Sequence, residues 1–428
     1  MIDFYELKDL CIDIIDCPHS TPKWLNEGIP VIRNYNISGG QLDLSKLSYV
    51  DEETYKSRIK RAKPIEDDII ISREAPMGEV CLVPPDFKCC LGQRLVLLKV
   101  DKEKCNPHYL LYALLSPYVQ AQIRRIDQTG SIVSNLNIPD LKKLVIPYIK
   151  ENQNNIARCL EVINKKIFNN NKINEELESM AKTIYDYWFL QFEFPNEEGK
   201  PYKSSGGKMI WNEELKREIP EGWEIDTIGK HINIDRGISY SSDDLEDVGI
   251  PLINLSSFNI DATYKPEGLK TYSGTYSKEK VISPFDLVIC VTQQTAIDLV
   301  GDTDVIGKTF LVPDIFETKD IVASMDVIKI QSDDTYGKYY LNRLINTKFF
   351  HRYISGFATG TKIKHLDIKG LLNYKCETPN EQALKKFNDL MECCEKKKSK
   401  IFAENQELTA LRDFLLPLLM NGQVGFKD

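Results

Sequence analysis

The residue types that carry chemistry occur here only in fragments. Gly301, Gly307, Lys308 and Thr309 follow the order of a phosphate-binding loop. That loop needs four residues between its glycines, so that successive backbone N–H groups close around the phosphates. Five intervene here, and Phe310-Leu311-Val312-Pro313 reads as a strand and a turn, where a helix should follow. Val83-Pro84-Pro85-Asp86-Phe87 is the nearest approach to the Asn/Asp-Pro-Pro-aromatic loop of a DNA amino-methyltransferase. It lacks the leading Asn or Asp, and its aromatic residue is misplaced. The histidines, His19, His108, His231, His351 and His365, are spread too widely to mark an acid–base constellation. Cys11, Cys17 and His19 lack the paired Cys spacing of a zinc site. No catalytic residue and no metal ligand is therefore assigned, and the chain reads as non-catalytic by itself.

Composition narrows the class. At 428 residues, 42% hydrophobic and 28% charged, the chain is long enough for two or three domains with real cores. No stretch approaches the roughly 20 apolar residues of a membrane span. The opening Met1-Ile2-Asp3-Phe4-Tyr5-Glu6 has neither the basic nor the apolar region of a signal peptide. Eleven cysteines without C-x-x-C pairs suit reduced thiols and a cytoplasmic location. The net charge of -8 argues against coating nucleic acid by bulk charge. Local basic clusters remain at Arg58-Ile59-Lys60-Arg61, Arg124-Arg125 and Lys362-Ile363-Lys364-His365.

What must position any site is a duplication. Gly28-Ile29-Pro30-Val31-Ile32 is answered by Gly249-Ile250-Pro251-Leu252-Ile253, and Asp67-Asp68-Ile69-Ile70-Ile71 by Phe285-Asp286-Leu287-Val288-Ile289. Tyr109-Leu110 is answered by Tyr340-Leu341, Thr129-Gly130 by Thr359-Gly360, and Gln153 by Gln382. The order never changes, so a unit of roughly two hundred residues occurs twice, too long a period for a solenoid. Each copy opens with short β-rich runs and one helical stretch, the texture of an α+β domain.

A longer helical pattern follows each copy. Ile156, Leu160, Ile163, Ile167, Asn170, Asn174, Leu177, Ala181, Ile184 and Trp188 step by four and three. So do Phe387, Leu390, Cys394, Lys397, Ile401, Glu404, Leu408, Leu411, Leu415 and Leu418. A period of about 3.5 residues sustained this long is a coiled-coil seam. Antiparallel pairing would set Asn170 and Asn174 near Lys397 and Glu404. Thr378, Pro379 and Glu381 read as the capping box that starts the second helix, and Pro417 restricts its end. The fold expected is α+β: two globular domains and two long coiled-coil helices in a pseudo-twofold internal repeat, the helices antiparallel if the polar seam positions are to meet. Its parts are a first domain at 1–150, a helix at 151–192, a flexible linker at 193–222, a second domain at 223–377, and a second helix with tail at 378–428.

Several phrases together resemble the specificity subunits of type I restriction–modification systems. They are Gly28 to Arg33, Asp67 to Arg73, Gly130 to Leu136, Tyr187-Trp188-Phe189-Leu190-Gln191-Phe192-Glu193-Phe194 and Ile219-Pro220-Glu221-Gly222-Trp223-Glu224. The resemblance implies two target-recognition domains that each read half of a bipartite double-stranded DNA target. It implies two docked methyltransferase (M) subunits that use S-adenosylmethionine, and restriction (R) subunits that use ATP and Mg. This chain itself would bind no cofactor. The second half departs from the pattern at Cys376-Glu377-Thr378-Pro379, and no aromatic phrase follows Leu411. A single-chain methyltransferase or restriction enzyme, and a coiled-coil interaction protein without DNA binding, are the alternative readings.

Loops after the strand-like runs nominate Arg33, Asn34, Tyr35, Arg73, Ser131 and Asn135 as DNA contacts in the first copy. In the second they nominate Asn254, Gln293, Gln294, Lys362 and Lys364. Arg and Asn can bond bidentately to guanine and adenine edges. Ile173, Met180 and Tyr187 form a second helical stripe which, with Phe189 and Phe192, is the expected partner-binding face. The helices are expected to act as a ruler, roughly 50 Å for about 33 residues. One heptad inserted into both helices should lengthen the spacer of the recognised DNA motif and keep its half-sites. Mapping the methylated motif checks this, and an unchanged spacer sinks the idea.

Overall fold

The computed structural model describes residues 2–74, 76–129, 135–293, 305–333 and 335–426. Contacts divide the chain into two units: residues up to Asn169 together with Gln406 onward, and Asn170–Asn405. The division runs through both long helices. No helix among the described residues is long and apolar enough to cross a membrane.

In the first unit a four-stranded antiparallel sheet runs in the order Cys11–Asp16, Leu95–Val100, Ile69–Ser72, Val80–Leu82. Ile69, Ile70 and Ile71 are all buried because both faces of this strand are covered. Strand alternation sends Ile69 and Ile71 into one apolar cluster and Ile70 into another. Helix Pro107–Leu115 packs into the first cluster, and Asn106 caps it by accepting from the N–H groups of His108 and Tyr109. A smaller sheet holds Ile29–Ile32 between Ser48–Val50, antiparallel, and Cys90–Leu91, parallel.

The second unit repeats these pairings. Its four-stranded sheet runs Ile232–Arg236, Val327–Ser332, Leu287–Cys290, Thr309–Leu311. Leu252 and Ile253 pair parallel with Val322 and Ala323, as Val31 and Ile32 pair with Cys90 and Leu91. The repeated residues have physical causes. Asp68 and Asp286 each accept from a backbone N–H three residues earlier, and each binds a lysine of the neighbouring strand, Lys99 or Lys329. Gly28 and Gly249 face the carbonyls of Val50 and Tyr272, and a Cβ at either glycine would collide with them.

The stretch expected as a flexible linker is folded instead. Met209–Asn212 pairs with Arg217–Pro220, and the Phe194 ring stacks on Tyr202 at 4.6 Å and on Trp223 at 5.2 Å. Aromatic area drives this ordering. Phe192, Phe194, Ile219 and Trp223 belong to the core of the second unit. Phe192 takes a left-handed backbone (φ 63°), at a cost of about 1–2 kcal/mol, while its ring packs against Trp223 at 5.5 Å.

The first long helix is Gln153–Tyr185, continued by a π turn at Asp186–Leu190. The predicted seam is its inner line, with Ile156, Leu160, Ile163, Asn170 and Ala181 buried. The second, Glu381–Met420, departs from expectation in two ways. Asn380, not Thr378, caps it, accepting from the Ala383 N–H at 2.8 Å. Thr378 ends a strand, and its hydroxyl pairs with that of Tyr336. Half of its predicted seam is also displaced by one residue. Leu390 and Leu411 are exposed, whereas Leu384, Met391 and Leu419 are buried. The second line therefore runs through Leu384, Met391, Lys398, Asn405, Arg412 and Leu419, one residue beyond the more apolar line on which the sequence pattern settled. Pro417 lies inside the helix and does not end it.

The polar members of that line explain it. In the second unit the buried Asn170 donates to Glu404 at 2.7 Å and to Asn405 at 2.9 Å, and Lys398 donates to Glu178 at 2.6 Å. As numbers rise on one helix they fall on the other, so this pairing is antiparallel. Lys397, expected in the seam, is exposed. In the first unit Arg412 donates to Asn164, which donates to Tyr112 of the domain helix. The equivalent residue three beyond the repeated tyrosine of the second copy is Arg343. It meets Glu178 and Glu395, and Lys398 completes the cluster. Both units thus tie a domain helix to both long helices at one polar node, neutral in its domain residue in the first and ionic in the second.

Burial alone would raise the Glu178 carboxyl, but Arg343 and Lys398 outweigh it and hold it at about 2, below its ordinary 4.5. Removing one member of such a cluster strands the others. Arg343→Leu should cost the second unit about 3–5 kcal/mol, measurable by denaturant unfolding. Because the Glu178 value is depressed on folding, its stabilising contribution is present above pH 4.5 and should fade as pH drops towards 2. A variant as stable as the parent, with the same acid profile, would count against the node.

Candidate nucleic-acid interface

A reader of DNA needs exposed donors held in place and not already consumed within the protein. Arg33 is half-exposed and held in place. It follows strand Ile29–Ile32 in a loop that Asn36 fixes, accepting from the Arg33 N–H and donating to the carbonyls of Asp43 and Lys46. The guanidinium lies 4.8 Å from the Trp24 ring and 4.7 Å from the Tyr35 ring. It donates to the Tyr35 hydroxyl at 3.3 Å and to the Ser48 hydroxyl at 3.5 Å. Arg33 has no ion pair among the described residues, and Trp24 and Tyr35 are exposed beside it. Two rings thus orient a planar donor fork and leave its charge unneutralised. Asn34 is half-buried next to it.

Arg73 does not belong to such a surface, contrary to expectation. It is buried, with its guanidinium donating to the Leu136 carbonyl at 3.0 Å, to Asp16 at 2.8 Å and to Asn135 at 3.2 Å. Those bonds join the end of strand Cys11–Asp16 to the segment before residue 137. Asn135 is exposed but is thereby an acceptor for Arg73. Two residues of the second copy are likewise structural. Asn254 is buried, accepting from Ser256 N–H and donating to the Gly268 carbonyl at 2.7 Å. Gln293 is buried and accepts from the N–H groups of Val305 and Ile306. The side-chain types are those of base readers, but tertiary packing has turned them inward to satisfy backbone groups.

Lys362 remains exposed and Lys364 half-exposed, in and beside strand Lys364–Leu366, neither with an ion pair among the described residues. Ser131 and Gln294 lie outside the described residues. The other basic clusters divide: Arg58 is buried, donating to the carbonyls of Leu91, Ser20 and Pro18, while Arg124 and Arg125 are exposed. Among the described residues no group of three His, Cys, Asp or Glu side chains could hold a metal. Cys11, once weighed as a ligand, is pushed up to about 12 by burial and is not a ready thiolate.

Residues 2–179 match the family model of the type I restriction modification DNA specificity domain. Over 96% of its length the chain is 24% identical to the type I restriction enzyme MjaIX specificity subunit of Methanocaldococcus jannaschii, covering 88% of that protein. It is 22% identical to the HindI specificity subunit of Haemophilus influenzae, over 80% of each chain. Along most of its length the chain is thus similar to type I restriction enzyme specificity subunits. Its fold is shared with the S subunit from M. genitalium, at a TM-score of 0.60 and 17% identity, covering all of this chain and 96% of that one.

In this chain the expected partner face splits. Ile173, Met180 and Tyr187 are exposed on the first long helix. Phe189 and Phe192 are not available: they are buried in the core of the second unit, with Phe189 against Phe387 at 5.0 Å and Tyr340 at 4.9 Å. Helical spacing could not separate the two groups, because regular α-helix ends at Tyr185: Tyr187 and Phe189 lie in the π turn, one exposed and one buried, and Phe192 lies beyond it. Trp24 and Ser48 were not legible as site residues; only the folded loop brings them to Arg33.

Arg73→Ala should lower the stability of the first unit by about 1–3 kcal/mol, the cost of leaving buried groups unsatisfied. DNA preference should be unchanged once the variant is folded. Thermal unfolding together with motif mapping checks this, and a stable variant with altered first half-site preference would restore Arg73 to the reading surface.

Proposed function

We propose that this chain is a specificity subunit that reads a bipartite double-stranded DNA target, one half-site for each unit, and scaffolds two methyltransferase subunits. The observation that carries this is the repeat of the main strand pairings, the parallel pairing of Val31 with Cys90 answered by that of Leu252 with Val322. Two copies of one reader suit two separated half-sites. The exposed Lys362 and the half-exposed Arg33 and Lys364 supply cationic donors for DNA, with Asn34 and Tyr35 next to Arg33. Phosphate contacts would set register and base-edge contacts the sequence preference.

The chain's own role in methylation is to bind and orient, and it supplies no reacting group. S-adenosylmethionine would be held by the methyltransferase subunits, and ATP with Mg by any restriction subunit, in the cytoplasm where the target DNA lies. The exposed stripe of Ile173, Met180 and Tyr187 is the candidate docking face. Single apolar residues scattered on a surface need no partner, but a stripe recurring every seven residues on a helix forms a continuous face.

Co-expression with its methyltransferase subunit, followed by mapping of methylated adenine, should give a two-part motif with a fixed spacer. The purified chain alone, with labelled S-adenosylmethionine and DNA, should give no product; product there would overturn the non-catalytic reading. Met180→Glu combined with Tyr187→Glu should abolish co-purification and methylation while the isolated chain stays folded. Normal assembly of the double variant would move the docking face elsewhere.

A further inference from the structure

The second unit carries a feature that none of the residues nominated from sequence touches. Strand Lys270–Tyr272 borders a cavity of about 400 Å³ lined by Tyr240, Lys270, Ser324, Met325 and Asp326, among others. The Lys270 ammonium sits 5.2 Å from the Tyr240 ring centre and donates to the Tyr240 hydroxyl at 3.1 Å. It has no ion pair among the described residues. Elsewhere in the unit Lys329, Arg343 and Lys398 are all neutralised by carboxylates. Ser324 is buried, and its Oγ has no hydrogen-bond partner among the described residues. An unneutralised cation and an unsatisfied hydroxyl on one cavity wall both call for an acceptor from outside the chain.

The repeat says where this cavity is. Leu252 is the counterpart of Val31, and across the sheet Leu252 pairs with Lys270 while Val31 pairs with Ser48. Lys270 therefore stands at the position of Ser48, the residue whose hydroxyl accepts from Arg33. Tyr240 follows strand Ile232–Arg236 as Trp24 follows strand Cys11–Asp16. Both copies thus hold a cation against aromatic rings at the same place in the fold. The cation comes from the loop in one copy and from the neighbouring strand in the other. Side chains that differ in origin but converge on one arrangement suggest a shared task beyond packing.

We propose that the Tyr240–Lys270 cavity is the DNA contact of the second reader, and that Lys270 pairs there with a backbone phosphate. This rests on the proposed DNA-reading function and deepens it. A lysine is a compact, mobile point charge, suited to a phosphate more than to the planar edge of a base. The tyrosine fixes its direction, and Ser324 adds a second donor within the same wall. Asp326 lines the cavity as well, so its carboxylate should oppose phosphate entry and moderate affinity.

The test uses the complex with its methyltransferase subunits and duplexes carrying the motif mapped from methylated DNA. Lys270→Gln should weaken binding about fivefold at 0.15 M salt and reduce the slope of log K against log salt by about 0.9, the loss of one phosphate contact. The methylated motif should stay the same. Lys270→Arg should restore both affinity and slope, and Asp326→Asn should tighten binding. Unchanged affinity and slope in Lys270→Gln, with assembly intact, would overturn the proposal. So would a loss confined to one base pair of the second half-site, which would make Lys270 a base reader. Should the unaltered complex bind no duplex and leave no two-part motif, it is the DNA-reading function itself that fails.

Discussion

Neither recognition domain closes its own core. The first is completed by Leu416, Leu419 and Met420, from the end of a helix that begins in the second unit. The second is completed by Ala181, Tyr185 and Phe189, from the end of a helix that begins in the first. Each buried residue of this size contributes about 1.5–3 kcal/mol, so a handful of them rivals the net stability of a domain. Neither long helix can leave its partner without opening a core. The aromatic phrase after the first helix is therefore structural: Phe189, Phe192 and Phe194 seal the second core and carry the chain into an ordered hairpin.

The polar nodes add direction to what burial makes strong. Apolar seams tolerate slippage, whereas a buried amide or ion matches only one neighbour. Asn164 with Tyr112 and Arg412, and Glu178 with Arg343, Glu395 and Lys398, each fix a domain helix against both long helices. The two nodes occupy equivalent places yet cannot exchange members, since Tyr112 brings no charge to meet Glu178 or Glu395. The duplication is thus a duplication of fold with distinct chemistry in each copy.

The same economy governs the cations. Arg58 and Arg73 spend their donors on backbone carbonyls and carboxylates inside the first unit. Arg33 and Lys270 rest on aromatic rings, with no ion pair among the described residues. In a chain of net charge -8, such oriented cations matter more for polyanion binding than any total.

The sequence by itself determined the duplication, the α+β texture and the long helices, because these rest on local periodicity and on repeated residues with local causes; the antiparallel sense shows only in the bonds between the helices. Asp68 and Asp286 cap their own turns, and Ile156, Leu160 and Ile163 mark their own helix face. What needed tertiary structure was the fate of each individual side chain. The second seam line runs through Lys398, Asn405 and Arg412, whose burial depends on partners more than two hundred residues away. Asn380 rather than Thr378 caps the helix because strand pairing with Glu224 claims Thr378. Arg73, Asn254 and Gln293 turned inward for the same reason: an unsatisfied buried backbone group costs more than an exposed side chain gains. Which groups are left unsatisfied is settled only when distant strands meet.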